Sequence, residues 1–468
     1  MSLSSVNATS AGSAASDSRV LHLLIDALGD AVSTEPAALD VAREDKSGHR
    51  STSAPLAVVT ARTTEDVQAT MRIASETRTP VVVRGAGTGL AGGAIASGGE
   101  IVLSTLAMDA LLEVSIDDEL AVVQPGIINA ELNALLEPSG LWFAPDPASR
   151  AISTVGGNIA TNAGGLLCAK YGVTREAVLA LKVVLADGRL LDLGHRTVKG
   201  VTGLDFTALM IGSEGILGVI VEATVKLRRL IAGPVGVISA NFDTVEGAAR
   251  ASSVITSSGL QPAVMELIGD TAMAGIATHL GISYSGGSQL IIQFDGPAAI
   301  VEADAALAVV RSLGGTAVLS TDVAEAARLF AIRRAFHPAM LDLGTVLIED
   351  VCVPRSQLPA MFQAITDIEA KYGIQIPTVA HAGDGNLHPN FVFEGTEVPD
   401  HIWAAADEMF LAALRLGGTL TGEHGVGLLK RRWLRDELGD DQLELQSQVK
   451  AVFDPLGILN PGKVFSAR

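Results

Sequence analysis

The spacing of apolar and polar residues predicts a regular succession of strands and helices from residue 55 onward. The stretch APLAVVTARTTEDVQATMRIASETRTPVVVRGAG has the pattern of a strand, a helix, a second strand and a glycine-rich loop. Thr63 or Thr64 can cap the helix, while Glu65 and Asp66 favour its positive end. The pattern therefore predicts a βαβ unit that ends at a loop.

Short β-rich runs follow between residues 101 and 231, separated by glycine-rich turns. They include IVLST, LAVVQPG and VIVEATVKL, and the pair Asp187-Gly188 predicts a β-hairpin inside REAVLALKVVLADGRLLDLG. Strands that follow one another without intervening helices favour an α+β arrangement over a purely doubly wound one.

A second block of elements begins near Gly233. Its pattern predicts a strand, a helix from Thr244, two strands, a helix from Ala298 and a last strand. The order β-α-β-β-α-β is typical of a ferredoxin-like unit, so we expect a separate domain here. Ahead of both blocks, VLHLLIDALGD has helical spacing, and we expect the small and polar residues 1–19 to form a flexible tail without a signal peptide.

The composition narrows the class of protein. With 468 residues, 48% hydrophobic and 18% charged, the chain is globular and long enough for two or three domains. Its net charge of −19 repels phosphate backbones and anionic headgroups, so nucleic acid is not expected as a partner. The two cysteines, Cys168 and Cys352, exclude a disulfide framework and fit a reducing cytoplasm. No uninterrupted apolar run reaches the roughly 18 residues of a membrane-spanning helix.

The stretch HAGDGNLHP, residues 381–389, is the first candidate for chemistry. Asp384-Gly385 predicts a two-residue hairpin turn, which would set His381 directly opposite His388 with Cβ atoms about 5 Å apart. Farther along, a helix predicted over DHIWAAADEMFLAALRLGG is followed by TLTGEHGVG, where Glu423 and His424 can face opposite sides.

Two histidines and one carboxylate form the ligand set of catalytic metal sites that keep open positions. We therefore expect His381, His388 and Glu423 to hold a divalent ion, with His424 facing whatever the ion binds. Zinc suits this set, and manganese and iron stay open. The alternative is that both histidines are ordinary hydrogen-bonded loop residues and that Glu423 is a solvated charge.

Three glycine-rich segments are the second candidate. RGAGTGLAGGA, residues 84–94, has the GxGxxG spacing, but a strand rather than a long helix is predicted after it, which argues against a Rossmann fold. Its backbone amides can instead cradle a pyrophosphate. PDPASRAISTVGGNIATNAGG, residues 145–165, and MIGSEGILGVI, residues 210–220, have the small side chains that let backbone approach a flat ligand. Ordinary turns are the alternative for each.

These motifs resemble a known family. RGAGTGLAGG, TVGGNIATNAGG, GSEGILGVI, HAGDGNLHP, GEHGVG and LNPGK occur in this order in the FAD-linked oxidases and dehydrogenases of the vanillyl-alcohol oxidase fold, in the branch with D-lactate dehydrogenase, the glycolate oxidase flavin subunit and D-2-hydroxyglutarate dehydrogenase. The resemblance covers residues 55–468.

The resemblance implies an α+β fold with a two-part FAD-binding domain of the vanillyl-alcohol oxidase type and a ferredoxin-like substrate domain, or cap. A C-terminal segment would return to the FAD domain. The expected boundaries are a tail and N-terminal helix over 1–54, the FAD domain over 55–231, the cap over 232–419 and the completing segment over 420–468.

The resemblance also implies roles for individual residues. Arg84, Gly85, Ala86, Gly87, Thr88, Gly89, Leu90, Gly92 and Gly93 would hold the FAD pyrophosphate. The flavin would be lined by Pro145, Asp146, Ser149, Gly156, Gly157, Asn158, Ala160, Thr161, Gly164 and Gly165. Glu214, Gly215 and Ile220 would lie near the adenosine, and Asn460 would touch the cofactor. His424 would be the catalytic base, Arg333 would bind the substrate carboxylate with Arg334 as its less favoured neighbour, and Asn390 would contact substrate.

Two departures from the family refine these expectations. Thr88 stands where relatives with covalent flavin have a histidine, which implies non-covalent FAD. Ile348 stands where the 2-hydroxyglutarate enzymes have a lysine, which argues against a dicarboxylate substrate.

The implied activity is oxidation of a D-2-hydroxy acid such as lactate or glycolate to the 2-oxo acid. Hydride would pass to FAD, while the metal and His424 deprotonate the hydroxyl and Arg333 fixes the carboxylate. A metal hydrolase using the His-His-Glu set and a flavin-binding subunit of a larger complex are the alternatives. The electron acceptor, a partner redox protein and a homodimer stay open.

Overall fold

The computed structural model describes residues 6–395 and 397–466. The α-helices, in chain order, are α1 Val6–Leu28, α2 Pro36–Val41, α3 Thr64–Thr77, α4 Asn129–Leu136, α5 Val155–Thr161, α6 Cys168–Tyr171, α7 Phe206–Met210, α8 Val245–Ser257, α9 Asp270–Leu280, α10 Ala299–Ser312, α11 Val323–Arg334, α12 Phe336–Leu341, α13 Leu358–Tyr372, α14 Asp400–Arg415 and α15 Leu434–Phe453. The strands are β1 Val32–Ser33, β2 Ala57–Thr60, β3 Val81–Arg84, β4 Ile101–Ser104, β5 Leu111–Ser115, β6 Leu120–Val123, β7 Leu141–Trp142, β8 Val178–Val184, β9 Leu190–Gly194, β10 Val219–Lys226, β11 Arg228–Arg229, β12 Val235–Phe242, β13 Val264–Ile268, β14 Ser288–Asp295, β15 Thr316–Ser320, β16 Thr345–Ile348, β17 Val351–Cys352, β18 Thr378–His381 and β19 Asn386–Phe393.

The chain forms two compact units. The first comprises residues up to Ala163, Thr174–Arg229 and the segment from His424 onward. Its first sheet has the order β1-β2-β4-β3, in which β2, β4 and β3 are parallel, and its second sheet has the order β5-β6-β10-β8-β9 and is antiparallel. The first sheet packs on buried apolar side chains around Val81 and Leu103, a cluster that β8 and β10 of the second sheet also enter, and the second sheet has a further cluster around Phe143 and Val183.

The second unit comprises Gly164–Val173 and Leu230–Glu423. Its sheet has the order β15-β12-β14-β13-β18-β19-β16, and β17 also pairs with β19. Within it, β12 to β15 follow the spatial order 4-1-3-2 of a ferredoxin-like sheet, so this prediction is confirmed. The strands β18 and β19, which carry HAGDGNLHP, extend that sheet from the edge of β13.

Most predicted elements are present. The βαβ unit is formed by β2, α3 and β3, and Thr63 is the cap of α3, since its side chain accepts a hydrogen bond from the Asp66 amide. The hairpin at Asp187-Gly188 joins β8 to β9. No helix of the described residues lies between β3 and β4, which confirms that the glycine loop is not of the Rossmann type.

Three expectations were wrong. The expected flexible tail is helical from Val6 in α1, and its residues 1–5 lie outside the described part of the chain. The helix α9 lies between the two middle strands of the ferredoxin-like unit, where the sequence pattern predicted a direct connection. Asp400 is the first residue of α14 rather than its cap, because Pro399 holds the extended cap position. Among the described residues, no helix has the length and apolar character needed to cross a membrane.

Candidate functional site

The histidine hairpin, defined as residues 378–393, differs from its predicted register. His381 pairs with Asn386, and His388 pairs with Val379, so the two histidines are diagonal neighbours rather than directly opposed. They still share one face, because residues two apart on a strand point the same way. Their ring centroids lie 5.0 Å apart, and the rings are nearly perpendicular.

The register differs because the turn is longer than two residues. Of Asp384 and Gly385, only the glycine has a positive φ, at 96°, whereas a type I′ turn needs it at both positions. The amides of both residues donate to the His381 carbonyl, and the Ala382 amide donates to Met265 on the neighbouring strand. Tertiary contacts therefore set the loop length and place Asn386, not His388, opposite His381.

Glu423 completes a cluster with the two histidines inside the second unit. Its Oε1 lies 3.6 Å from His381 Nε2 and 3.2 Å from His388 Nε2, and one ligand atom from each of the three residues lies within 4.8 Å of the others. Both histidines are buried and Glu423 is half-buried. Three donors around a four-coordinate ion with bonds of about 2.1 Å would be separated by about 3.0–3.5 Å. The donor set and its spacing thus fit a divalent ion.

A buried carboxylate lies behind each histidine. Glu266 is fully buried on β13 directly opposite His381, and its Oε1 lies 2.6 Å from His381 Nδ1. Asp350 is also fully buried, with Oδ1 3.9 Å from His388 Nδ1. Asp350 Oδ2 accepts hydrogen bonds from the amides of Gly422 and Glu423, which holds the third member of the cluster. His381 therefore has a hydrogen-bonded partner at Nδ1, a carboxylate lies near Nδ1 of His388, and both rings present Nε2 to Glu423.

The same contacts set the charges of the cluster. Burial works to lower the pKa of His381, but the charge and hydrogen bond of Glu266, assisted by Glu423, outweigh it and raise the pKa well above its usual value. Burial works to raise the pKa of Glu423, but hydrogen bonds from His381 and His388 hold it well below its usual value. In the hairpin turn, burial raises the pKa of Asp384 to about 6.

Arg333 and Asn390, predicted to bind substrate, belong to the same unit. Arg333 Nε donates to Glu266 Oε2 at 2.8 Å, and among the described residues the terminal guanidinium nitrogens have no acceptor. Those two nitrogens can present a fork to a carboxylate. Asn390 lies two residues beyond His388 on β19, is almost fully buried, and donates its side-chain amide to the His388 carbonyl. The structure thus connects Arg333 to His381 through one glutamate.

The glycine loop, residues 84–94, offers its backbone amides, rather than side chains, as hydrogen-bond donors. None of the described residues accepts a hydrogen bond from the backbone amides of 85–93, so these donors are available to a ligand such as a pyrophosphate. Gly87 has a φ of 67°, and an added Cβ there would run into the guanidinium of Arg84. That guanidinium donates to the carbonyls of Glu44 and Ala94. Arg84 therefore holds the loop in shape from within.

The second glycine-rich segment contains a helix that the sequence pattern did not predict. The Thr154 side chain caps α5 by accepting from the Gly157 amide, and Asn162 ends the helix with a φ of 50°. Gly156 packs so closely on Pro125 that an added Cβ would lie 2.5 Å from the proline Cβ. Asn158 is buried, and its Nδ2 has no hydrogen-bond acceptor among the described residues. A buried donor without a partner fits a flavin carbonyl or ring nitrogen.

Two residues predicted to contact the cofactor also connect parts of the first unit. The buried Glu214 carboxylate accepts from the amides of Val426 and Gly427, and burial raises its pKa. Asn460 accepts from the Val83 amide with Oδ1 and donates to the Glu214 carbonyl with Nδ2. Asn460 thus joins the C-terminal segment to β3, which enters the glycine loop, whereas Glu214 ties that segment to the loop before β10.

The remaining predicted residues are distributed over both units. Those of the first unit are Ala86, Thr88, Gly89, Leu90, Gly92 and Gly93 in the glycine loop, Pro145, Asp146, Ser149, Ala160 and Thr161 around α5, and Gly215, Ile220 and His424. Gly164 and Gly165 belong to the second unit, where an added Cβ on Gly164 would lie 2.5 Å from Glu423 Oε2. His424 is half-buried, and the boundary between the units falls between it and Glu423.

Sequence reasoning missed Glu266 and Asp350. The signal for Glu266 was a single carboxylate in the middle of the apolar strand AVMELIG, which is costly unless it is paired. For Asp350 the signal was the acidic pair Glu349-Asp350, which lies between two short apolar strands. Both of these side chains are buried in the structure. Neither signal indicates which residue the carboxylate approaches, because these residues are distant in sequence.

Two family models match the chain. The model for the FAD binding domain matches residues 55–194, and the model described as FAD linked oxidases, C-terminal domain, matches residues 234–464. Among individual proteins, the chain is 39% identical to the glycolate oxidase subunit GlcD of Bacillus subtilis, over 88% of this chain and 90% of the relative. It is 36% identical to D-lactate dehydrogenase of Archaeoglobus fulgidus, over 87% of this chain and 90% of the relative.

Solved structures resemble the whole chain at lower identity. p-Cresol methylhydroxylase with substrate bound superposes with a TM-score of 0.76 at 16% identity, covering 97% of both chains. 4-Ethylphenol oxidase from Gulosibacter chungangensis superposes with a TM-score of 0.75 at 17% identity, covering 97% of this chain and 98% of the other. At such identity the likeness concerns the fold alone.

Proposed function

Because the chain belongs to the FAD-linked oxidases and has the vanillyl-alcohol oxidase fold, we propose that it oxidises a D-2-hydroxy acid to the 2-oxo acid. The observation that carries the substrate class is the pairing of a His-His-Glu cluster with an arginine whose terminal nitrogens have no acceptor among the described residues. A 2-hydroxy acid offers a hydroxyl to the first and a carboxylate to the second. The names of the relatives, a glycolate oxidase subunit and a D-lactate dehydrogenase, support small monocarboxylates.

The residues fit both groups that this reaction needs. Bound FAD supplies a hydride acceptor, and the amides of the glycine loop and the Asn158 side chain would hold it, without a covalent bond at Thr88. A divalent ion held by His381, His388 and Glu423 supplies Lewis-acid polarisation of a hydroxyl. Zinc suits the two-nitrogen, one-oxygen donor set, with manganese and iron as alternatives.

The chain's own side chains would handle the substrate. The two terminal nitrogens of Arg333 bind the carboxylate as a fork and fix which C–H bond is presented. His424 takes the hydroxyl proton as general base. Ile348, next to Asn390 in the sheet, offers no charge to a second carboxylate, which favours lactate or glycolate over a dicarboxylate.

Anaerobic titration of the purified yellow protein with a panel of D- and L-2-hydroxy acids tests the proposal. We expect D-lactate or glycolate to bleach the flavin near 450 nm, with L-lactate and 2-hydroxyglutarate much less effective. Bleaching by none of these acids would refute the substrate class.

Stripping the metal with a chelator should slow the bleaching and adding Zn²⁺ or Mn²⁺ should restore it. An unchanged rate would refute the role of the metal.

Partners form a separate part of the proposal. Membership of a flavin-dependent oxidoreductase family argues against the metal hydrolase. The word "subunit" in the name of the Bacillus subtilis relative supports a partner redox protein that takes the electrons. The two cysteines are free thiols, which supports work in the reducing cytoplasm.

A further inference from the structure

Glu266 is an unusual residue for the middle of a buried strand. Its neighbours on β13, Met265 and Leu267, are fully buried apolar residues, and Glu266 itself has no exposed surface. A lone carboxylate in such a place is strongly destabilising unless its charge and lone pairs are satisfied. Both oxygens are satisfied, Oε1 by His381 Nδ1 at 2.6 Å and Oε2 by Arg333 Nε at 2.8 Å.

The contact with His381 fixes the chemistry of that ring. A carboxylate only accepts hydrogen bonds, so His381 Nδ1 must carry the hydrogen. The lone pair of a neutral ring then lies on Nε2, the atom directed at Glu423. With Glu266 removed, the ring could rotate or adopt the tautomer in which Nε2 carries the hydrogen and cannot bind a metal.

The contact with Arg333 fixes the guanidinium plane. Nε donates to Glu266, and no described residue accepts from the terminal nitrogens. The guanidinium is planar, so anchoring one edge aims the opposite, two-pronged edge. One carboxylate thus orients a residue of the metal cluster and the residue that would bind the substrate carboxylate.

We propose that Glu266 is a positioning residue that couples the metal site to the carboxylate-binding arginine, so that the hydroxyl and the carboxylate of one 2-hydroxy acid are received in a fixed relation. The proposal rests on the proposed function. It assigns no contact between Glu266 and substrate, and it predicts that one substitution weakens two separate binding events.

The test compares Glu266→Gln with two other variants of the full-length, FAD-loaded protein. Glutamine keeps the size but has one acceptor, so it can satisfy His381 or Arg333 but not both. We expect Zn²⁺ affinity, measured by equilibrium dialysis and elemental analysis, to fall roughly 10–100-fold. We expect KM for the best 2-hydroxy acid to rise about tenfold, since one charge-assisted hydrogen bond to the arginine is lost.

Arg333→Met separates the two effects. It should raise KM by about 100-fold or more through loss of the carboxylate fork, while Zn²⁺ affinity stays within about threefold of the parent because Glu266 still holds His381. Asp295→Asn is the matched control for a purely structural carboxylate, since Asp295 pairs with Lys170 and Tyr171 in the same unit. It should lower the unfolding temperature and change neither Zn²⁺ affinity nor KM.

The outcomes distinguish this proposal from the proposed function. If the parent protein binds no Zn²⁺, the metal site itself is refuted, and the coupling with it. If the parent binds Zn²⁺ and Glu266→Gln binds it equally well, only the role of Glu266 is refuted. Should Glu266→Gln lose its flavin through misfolding, Glu266→Asp provides the same test, because a carboxylate one methylene shorter cannot reach both partners.

Discussion

The glycine loop of the first unit and the histidine hairpin of the second are built from different materials. In the loop the donors are backbone amides, and its arginine supports the loop from inside. In the hairpin the candidate ligand atoms belong to histidine side chains, and a buried carboxylate of a neighbouring segment lies near Nδ1 of each histidine. A site made of backbone is damaged by adding atoms, whereas a site made of side chains is damaged by removing them.

This contrast implies a separation of phenotypes. Changes in the hairpin and its partners should remove turnover and metal while the flavin stays bound. Changes in the glycine loop should weaken flavin binding while the metal stays bound. The following variants test that separation in order of decreasing effect.

The largest effect is expected for His388→Ala, which removes one of the three side chains proposed to hold the metal and leaves the Glu423 charge with fewer partners. Turnover should fall by more than the roughly 100-fold typical of a lost outer-sphere partner, and bound zinc should disappear while the 450 nm flavin absorbance is retained. His279→Ala is the control, because that exposed histidine pairs with Asp342 at the surface. Normal turnover in His388→Ala would contradict the metal site.

His424→Ala should follow, with turnover reduced by about 10²–10⁴-fold, the usual contribution of a general base. Flavin content should match the parent protein, and so should bound zinc if His381, His388 and Glu423 are the metal ligands, since His424 is not one of these three. Steady-state rates together with elemental analysis measure both. An unchanged rate would exclude His424 as the base.

Asn460→Ala tests whether the C-terminal segment supports the glycine loop. The change leaves the Val83 amide and the Glu214 carbonyl without their partner, which should lower the free energy of unfolding by about 2–4 kcal/mol. FAD affinity should fall as well, because β3 leads into the loop. Asn133→Ala is the control, since Asn133 makes a similar pair of bonds to Phe143 far along the chain from the loop. Equal FAD affinity in both variants would contradict the supporting role.

Local patterns predicted the elements well. The unit β2-α3-β3 and the ferredoxin-like order of β12 to β15 follow from apolar spacing and caps that lie within a few residues of one another. The pairing of His381 with Asn386 could not be predicted in this way, because the turn is shaped by Met265 on another strand. The two histidines were nevertheless expected on one face, since an even shift in register preserves the face.

The roles of the carboxylates beside the histidines could not be predicted from the sequence pattern for a related reason. Glu266 meets His381 only through the pairing of β13 with β18, which joins residues 115 positions apart. Similarly, α5 forms within a segment of small residues because Thr154 caps it and Gly156 fits against Pro125. In each case a contact distant in sequence decided the local structure.

The smallest effects are expected within the glycine loop, where Gly87→Ala and Gly89→Ala form a matched pair. Gly87 needs its positive φ and leaves no room for a Cβ beside the Arg84 guanidinium, so alanine should cost at least about 1–2 kcal/mol of apoprotein stability in urea unfolding. Gly89 has an ordinary φ and only the Asp45 carboxylate within reach, 3.8 Å from an added Cβ, so alanine should change stability by less than about 0.5 kcal/mol. If the loop binds the pyrophosphate through its backbone, Gly89→Ala should still weaken FAD binding, since the methyl group keeps the phosphates away. Parental FAD affinity in that variant would mean that the diphosphate does not approach the loop at this residue.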